Sequence, residues 1–160
     1  MPDMLVKLYA LPALAPAIQQ QQDHGILIRR GLVPEKSLVT KWVGDHFGEY
    51  WVNETDIAFT QQPVACFLAL DENGLIGFGC YNATFKGFFG PTGVSEAGRG
   101  KGTGKALLLA CLHAMYAEGY MYGIIGGVGP AEFYAKAVGA TLIEDSTPGP
   151  YARLLPQPTE

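Results

Sequence analysis

The spacing of apolar positions changes several times along the chain. Residues 5–11 (LVKLYAL) and 25–30 (GILIRR) carry the short apolar runs of strands, and the stretch between them, about residues 13–24, is predicted to be a short helix. Pro34 stands at a helix N1 position. Leu38, Trp42 and Val43, followed by His46 and Phe47, make a stripe at helical spacing that Gly48 closes. A second helical or irregular piece, GEYWVNETDIAF, comes next. Residues 63–70 (PVACFLAL) and 74–84 (GLIGFGCYNAT) are strand-like and are separated by Asp71, Glu72 and Asn73, a hairpin signal with Gly74 at the turn. A third strand, residues 86–94 (KGFFGPTGV), contains Pro91. Proline has no N–H for a ladder hydrogen bond, so this strand is predicted to bulge or to splay from a neighbour there.

From residue 103 to residue 118 the pattern is helical and apolar around the whole circumference, which requires burial against a sheet, and Gly119 caps it. Residues 120–128 (YMYGIIGGV) form the next strand. Gly129, Pro130 and Glu132 start a short helix bearing Phe133, Tyr134, Ala137 and Val138, and Gly139 ends it. Residues 140–145 (ATLIED) and 151–155 are the last strand candidates. A strand, a buried helix and another strand in succession imply a parallel pair with a right-handed crossover. The three-strand meander before them is antiparallel. The fold class is therefore α/β (α+β), a mixed central sheet of about six to seven strands with helices on both faces. The 160 residues make one domain, with residues 1–24 as an N-terminal strand–helix extension.

Composition narrows the function. Apolar residues at 48% and charged residues at 16% exclude an intrinsically disordered chain. The net charge of −4 argues against a nucleic-acid partner held through its phosphates, and the only local basic excess is Arg99, Lys101 and Lys105. No uncharged apolar stretch approaches the ~18 residues of a membrane helix, so no membrane partner is expected. Residues 8–17 imitate a signal-peptide core, but Asp3 lies upstream and Pro12 interrupts the run. Cys66, Cys80 and Cys111 form no CxxC and sit in apolar runs, which reads as buried, reduced thiols in a cytoplasmic protein with no metal site. The unusual figures are 21 Gly and 11 Pro. The glycines lack a third-residue period, so they serve particular backbone positions rather than a collagen helix.

The densest cluster is residues 93–105, GVSEAGRGKGTGK, which joins a strand to a helix N-terminus. Unpartnered N–H groups and the helix dipole make an anion site there, and glycine lets a phosphate approach the backbone. A Walker A loop fails, because Ala106 follows Gly104 and Lys105 and Arg99 stands where the first glycine belongs. A GxGxxG fingerprint fails too, at Thr103 in one register and Lys105 in the other. What fits is (Gln/Arg)-x-x-Gly-x-(Gly/Ala), present as Arg99, Gly100, Lys101, Gly102, Thr103 and Gly104. This resembles the acyl-CoA pyrophosphate loop of the GNAT superfamily of N-acyltransferases. The resemblance extends to Val94 at the end of the preceding strand, the long helix after the loop, and the later helix with Phe133, Tyr134 and Gly139.

The resemblance implies a cofactor cleft between splayed parallel strands and acetyl-CoA as co-substrate. Backbone groups around Val94 would hold the pantetheine arm, and Arg99, Gly100, Lys101, Gly102, Thr103, Gly104 and Lys105 the pyrophosphate. It implies transfer of an acetyl group to a primary amine of a small molecule, with Tyr134 as the acid that protonates the departing thiolate and Phe133 beside it as a core residue. A catalytically silent acyl-CoA-binding sensor is the alternative, because residues 86–94 contain no carboxylate for a base. Glu96 reads as a solvated loop residue, and His46, Glu49, Glu54 and Asp56 lie in the segment that lines the acceptor site in the family. His46 and His113 read more readily as packing residues. Trp42, Phe47, Tyr50 and Trp51, with Phe88, Phe89 and Tyr151, are expected near the acceptor wall, with residues 146–151 as a lid. Net acidity mildly favours a cationic amine. An edge strand such as residues 5–11 offers a route to a homodimer.

Overall fold

Side chains alternate across a strand, and along β4 (Gly74–Tyr81) that alternation decides which helices cover the sheet. Gly77 and Gly79 lie beneath α4 (Thr103–Ala117), with Leu107 and Cys111 against their backbones. Phe78 points the other way, into Trp42, Phe47 and Trp51 of α2 (Lys36–His46), α3 (Glu49–Phe59) and the turn between them, at ring-centroid distances of 6.2, 5.9 and 6.1 Å. Helices therefore sit on both faces, as the pattern required. The computed structural model describes residues 1–158.

The remaining strands are β1 (Met4–Lys7), β2 (Leu27–Arg30), β3 (Cys66–Asp71), β5 (Phe88–Val94), β6 (Tyr122–Ile125) and β7 (Thr141–Leu142). The remaining helices are α1 (Leu14–Asp23) and α5 (Ala131–Val138). One seven-stranded sheet runs β2-β3-β4-β5-β6-β1-β7. All pairs are antiparallel except β5–β6, the parallel pair that α4 connects. The β3–β4 hairpin turns at Glu72 and Asn73 with Asp71 opposite Gly74. Leu107, Leu108, Leu109 and Leu112 of α4 are at most 1% exposed, each worth about 1.5–3 kcal/mol of burial. That burial ties the start of α4 to a rigid sheet.

Three sequence expectations change. Residues 5–11 do not form an edge strand: β1 is short, passes into a 3-10 turn at Leu8–Ala10, and is paired on both sides, by β6 and β7. The edges are β2 and β7, so residues 5–11 are not the sheet edge that the dimer expectation took them for. The strand expected over residues 140–145 shrinks to Thr141–Leu142, and that expected over 151–155 is replaced by a 3-10 turn at Gly149–Tyr151 and irregular chain. Pro148 precedes that turn and Pro150 lies within it, and neither has an N–H for strand pairing. The strand and helix of residues 1–24 place β1 between β6 and β7 and pack α1 against α4.

Candidate active site

The parallel pair β5–β6 is in register only at Phe88–Ile124 and Phe89–Ile125, and the Ile124 N–H donates to the Gly87 carbonyl at 2.9 Å. Beyond Phe89, β5 continues beside β4 while β6 ends and the chain turns away through residues 126–130. Pro91 has no N–H to offer β6, so the two strands part where the sequence predicted. The opening is a cleft of about 580 Å³. Its sides are residues 88–92 of β5 and residues 125–130, and Tyr134 of α5 reaches it. The N-terminal segment fixes the second side: Asp3 Oδ1 accepts the Gly127 N–H at 2.9 Å, and the Pro2 carbonyl accepts the Val128 N–H at 2.8 Å.

A second groove of about 250 Å³ adjoins the cleft, passing from Thr92 to Val94 on β5 and from Tyr134 to Phe133 on α5. Its floor is the glycine-rich turn, with Gly98, Arg99, Gly100, Gly102, Gly104 and Lys105 among its lining. Gly100 (φ +85°) and Gly102 (φ +77°) adopt left-handed conformations, and Gly102 is the N-cap of α4. Only glycine takes such angles without strain. The first α4 bond runs from the Ala106 N–H to the Gly102 carbonyl at 3.1 Å. The N–H groups of Thr103, Gly104 and Lys105 precede it and have no intrahelical acceptor. Arg99, Lys101 and Lys105 enter no ion pair among the described residues. Three amides without intrahelical acceptors, the helix dipole and the unpaired cations of Arg99 and Lys105 in the groove lining give the groove the character to attract an anion, while Lys101 is not among the lining residues.

The turn is clamped from α1. Gln21 is fully buried; its Nε2 donates to the Lys101 carbonyl at 2.8 Å, and its Oε1 accepts the Thr103 hydroxyl at 2.7 Å. One side chain thus spans Gly102 on both sides and fixes its left-handed geometry. In the sequence Gln21 is one of four consecutive glutamines, residues 19–22, and nothing in the tract itself sets it apart from the other three. A signal was present: Leu14, Ala17 and Gln21 share one helix face, so an amide sits on the apolar stripe of α1.

Tyr134 stands at the junction of groove and cleft, 8% exposed, edge-on to Phe89 and Phe133 at 6.5 and 5.1 Å. Burial pushes its phenol above the ordinary tyrosine value. It is therefore protonated throughout the neutral range and able to give a proton to a stronger base formed beside it. Phe133 was expected in the core, but it is 40% exposed and faces the glycine-rich groove. On a short helix the two adjacent residues point about 100° apart, and here the tyrosine takes the inner direction.

Of the carboxylates weighed for the base, the structure brings Glu54 alone to the cleft. Asp56 is paired with Lys36 at 2.9 Å, Glu49 is exposed in the first turn of α3, and Glu96 is exposed in a 3-10 turn. His46 Nδ1 lies 2.8 Å from the Trp42 carbonyl and its ring stacks on Trp42, and His113 Nε2 lies 2.7 Å from the Pro12 carbonyl, so both are packing residues. Burial raises the Glu54 carboxyl above the usual range, and the nearby Thr84 hydroxyl offsets part of this. Tyr151, from the C-terminal segment, faces Glu54 across the cleft; burial first, then the charges of Glu54 and Asp3, push its phenol up. A Cβ on Gly126 would come within 3.0 Å of Phe88 and of the Tyr151 hydroxyl, so glycine is required there by close approach.

The expected aromatic wall divides in two. Tyr50, Trp51, Phe88, Phe89 and Tyr151 line the cleft. Trp42 and Phe47 do not: they pack into the core against Phe78, because α2 lies over β4 rather than beside the opening.

A cleft between parted parallel strands, entered from an amide-rich helix N-terminus, defines a class of acyl-group transferases. The Acetyltransferase (GNAT) family model matches residues 35–139, and the chain belongs to that family. Among solved structures, a GCN5-related N-acetyltransferase from Sphaerobacter thermophilus superposes with a TM-score of 0.63 at 20% identity, over 89% of this chain and 48% of that one. A GCN5-related N-acetyltransferase from Kribbella flavida gives 0.59 at 16% identity, over 88% and 53%. The glucosamine N-acetyltransferase region of a fungal multi-domain GH3 β-N-acetylglucosaminidase gives 0.72 at 14% identity, over 89% and 19%. The chain thus spans about half, or less, of the length of these structures, which share its fold. No curated protein matches the chain significantly.

Proposed function

We propose that the protein transfers an acetyl group from acetyl-CoA to the primary amine of a small molecule. The observation that carries this reading is the adjacency along β5 and α5 of an anion-binding turn, a buried phenol and a half-buried carboxylate. The donor set suits a nucleoside diphosphate tail: the amides of Thr103, Gly104 and Lys105 take the pyrophosphate, with the Arg99 and Lys105 side chains neutralising its charge. Val94 and the unpaired stretch of β5 suit an extended amide-bearing arm laid alongside as an added strand. Acetyl-CoA supplies an activated thioester carbonyl.

Glu54 accepts one proton from the incoming ammonium, directly or through water, leaving a neutral amine. The amine nitrogen forms a bond to the thioester carbon, and the C–S bond breaks as the tetrahedral adduct collapses. Tyr134 gives its phenolic proton to the departing sulfur and is restored by the second proton lost from nitrogen. The products are an amide, a free thiol and the proton left on Glu54. Burial makes the Glu54 carboxylate a stronger base and keeps the Tyr134 phenol protonated until it is called on, so the two groups can divide the roles of base and acid.

The amino sugar acetylated by the fungal relative is one candidate acceptor, and less polar amines are another. Three buried thiols, Cys66, Cys80 and Cys111, support a reducing cytoplasmic setting. Titration of the full chain with acetyl-CoA, followed by thiol release over an amine panel, tests the proposal. Saturable binding with amine-dependent thiol release is expected. Binding without release over the whole panel would instead describe an acyl-CoA sensor, and no binding at tens of micromolar acetyl-CoA would refute the coenzyme assignment.

A further inference from the structure

Past Ile125 the second side of the cleft is Gly126, Gly127, Val128 and Gly129, three glycines and one side chain. β5 has already parted from it, and Gly127 is left-handed at φ +57°. Glycine loses more conformational freedom on ordering than any other residue, so this stretch needs an anchor from behind. Asp3 supplies one. It is 6% exposed and enters no ion pair among the described residues. Its main chain serves one flank: the N–H donates to Ser146 Oγ at 2.8 Å, and the carbonyl accepts the Ile143 N–H at 2.9 Å. Its side chain serves the other, where Oδ1 accepts the Gly127 N–H at 2.9 Å. Oδ2 lies 3.6 Å from where a Cβ on Gly149 would stand, at the start of the turn that carries Tyr151, and the Tyr151 hydroxyl lies against Gly126.

Resting on the reading that this cleft takes acetyl-CoA, we infer that Asp3 is a positioning residue: its carboxylate fixes the Gly126–Gly127 peptide, the part of the wall that faces the arm of the coenzyme. In a planar trans peptide the N–H and the carbonyl point opposite ways. With the Gly127 N–H turned back to Asp3, the Gly126 carbonyl is turned away from Asp3, to the cleft side, where Gly126 is a lining residue. Both residues flanking that peptide are glycine, so side-chain sterics do little to resist its rotation. The Asp3 bond selects one orientation. The neighbouring bond, from the Val128 N–H to the Pro2 carbonyl, holds the next peptide unit and not this one. Only one oxygen of Asp3 takes the Gly127 N–H, so an amide oxygen in the same place serves as well, whereas a methyl group leaves the N–H without its partner.

The full chain, Asp3→Ala and Asp3→Asn, each titrated with acetyl-CoA by calorimetry, test this. Asp3→Ala is expected to weaken binding about tenfold, and Asp3→Asn to stay within about threefold of the parent chain because it keeps an acceptor oxygen. Linkage gives a second readout in the parent chain itself. If the Asp3 bond favours the coenzyme about tenfold, the coenzyme favours the bond by the same factor. Saturating acetyl-CoA is therefore expected to slow amide hydrogen exchange at Gly127 about tenfold in the parent chain and in Asp3→Asn. This measurement needs no variant to fold, and a role confined to the stability of the fold would not produce it. Equal affinity in Asp3→Ala and the parent chain, an Asp3→Asn as weak as Asp3→Ala, or Gly127 exchange unchanged by acetyl-CoA would each overturn the inference while leaving the coenzyme reading in place. A parent chain that does not bind acetyl-CoA would refute the coenzyme reading and the inference with it.

Discussion

The two ends of the cleft are built from different materials. At the glycine-rich end the working groups are main-chain amides, presented by consecutive residues and held by left-handed glycines. At the acceptor end they are side chains brought from α3, β5 and the C-terminal segment, up to a hundred residues apart, such as Tyr50 donating to the carbonyl of Leu155. A backbone site tolerates almost any side chain and almost no change of conformation. A side-chain site is the reverse. The difference predicts which substitutions matter at each end and which kinetic constant each one moves.

The sharpest way to break the comparison is at the backbone end. Gly102→Val forces a β-branched residue into a left-handed conformation and brings its Cβ to 3.0 Å from Gln20 Oε1. Affinity for acetyl-CoA is expected to fall by at least about 100-fold in calorimetry, with the circular dichroism spectrum retained. Tyr134→Phe changes one oxygen at the junction. It is expected to lower kcat by about 100-fold with little effect on KM for acetyl-CoA, and to remove the alkaline loss of activity, which in the parent chain lies above the ordinary tyrosine value because burial raises the phenol.

A smaller effect is expected at the side-chain end. Glu54 acts as a base only when ionised, so activity is gained as pH rises through its pKa, which burial places above the usual glutamate range. Glu54→Gln is expected to lower kcat/KM for the amine about 30-fold and to abolish that acid limb, with acetyl-CoA affinity unchanged. An acid limb that survives would assign it to the amine itself. Gln21→Leu tests the clamp: losing both hydrogen bonds leaves the buried Thr103 hydroxyl and the partly buried Lys101 carbonyl without their partner, at a cost of about 1–3 kcal/mol in chemical denaturation. KM for acetyl-CoA is expected to rise about tenfold with kcat nearly unchanged. Gln21→Glu, which can still accept from Thr103 but cannot donate to Lys101, should fall between Leu and the parent.

The same contrast explains what was legible in the sequence. Glycine spacing, a helix start and a strand proline are local signals, so the turn at residues 99–105, the parting of β5 from β6 and the helix with Tyr134 could all be read from short windows. The inner chamber could not, because each aromatic has the same local appearance in a core as in a cleft. Trp42 and Trp51 both lie against Phe78, yet only Trp51 also reaches the cleft. Polar residues on apolar stripes carried the missing information: Glu54 shares the α3 face of Trp51, Thr55 and Ala58, and Gln21 the α1 face of Leu14 and Ala17. The pairing of β1 between β6 and β7 is non-local, and no short window encodes it.

The most direct measurement is a crystal structure of the chain with coenzyme A. The pyrophosphate is expected within hydrogen-bond distance of the Thr103, Gly104 and Lys105 amides, the pantetheine beside Val94, and the sulfur next to the Tyr134 hydroxyl. Coenzyme bound with its pyrophosphate away from this turn, or with its sulfur on the far side of α5 from Tyr134, would contradict the division of the cleft into a backbone end and a side-chain end.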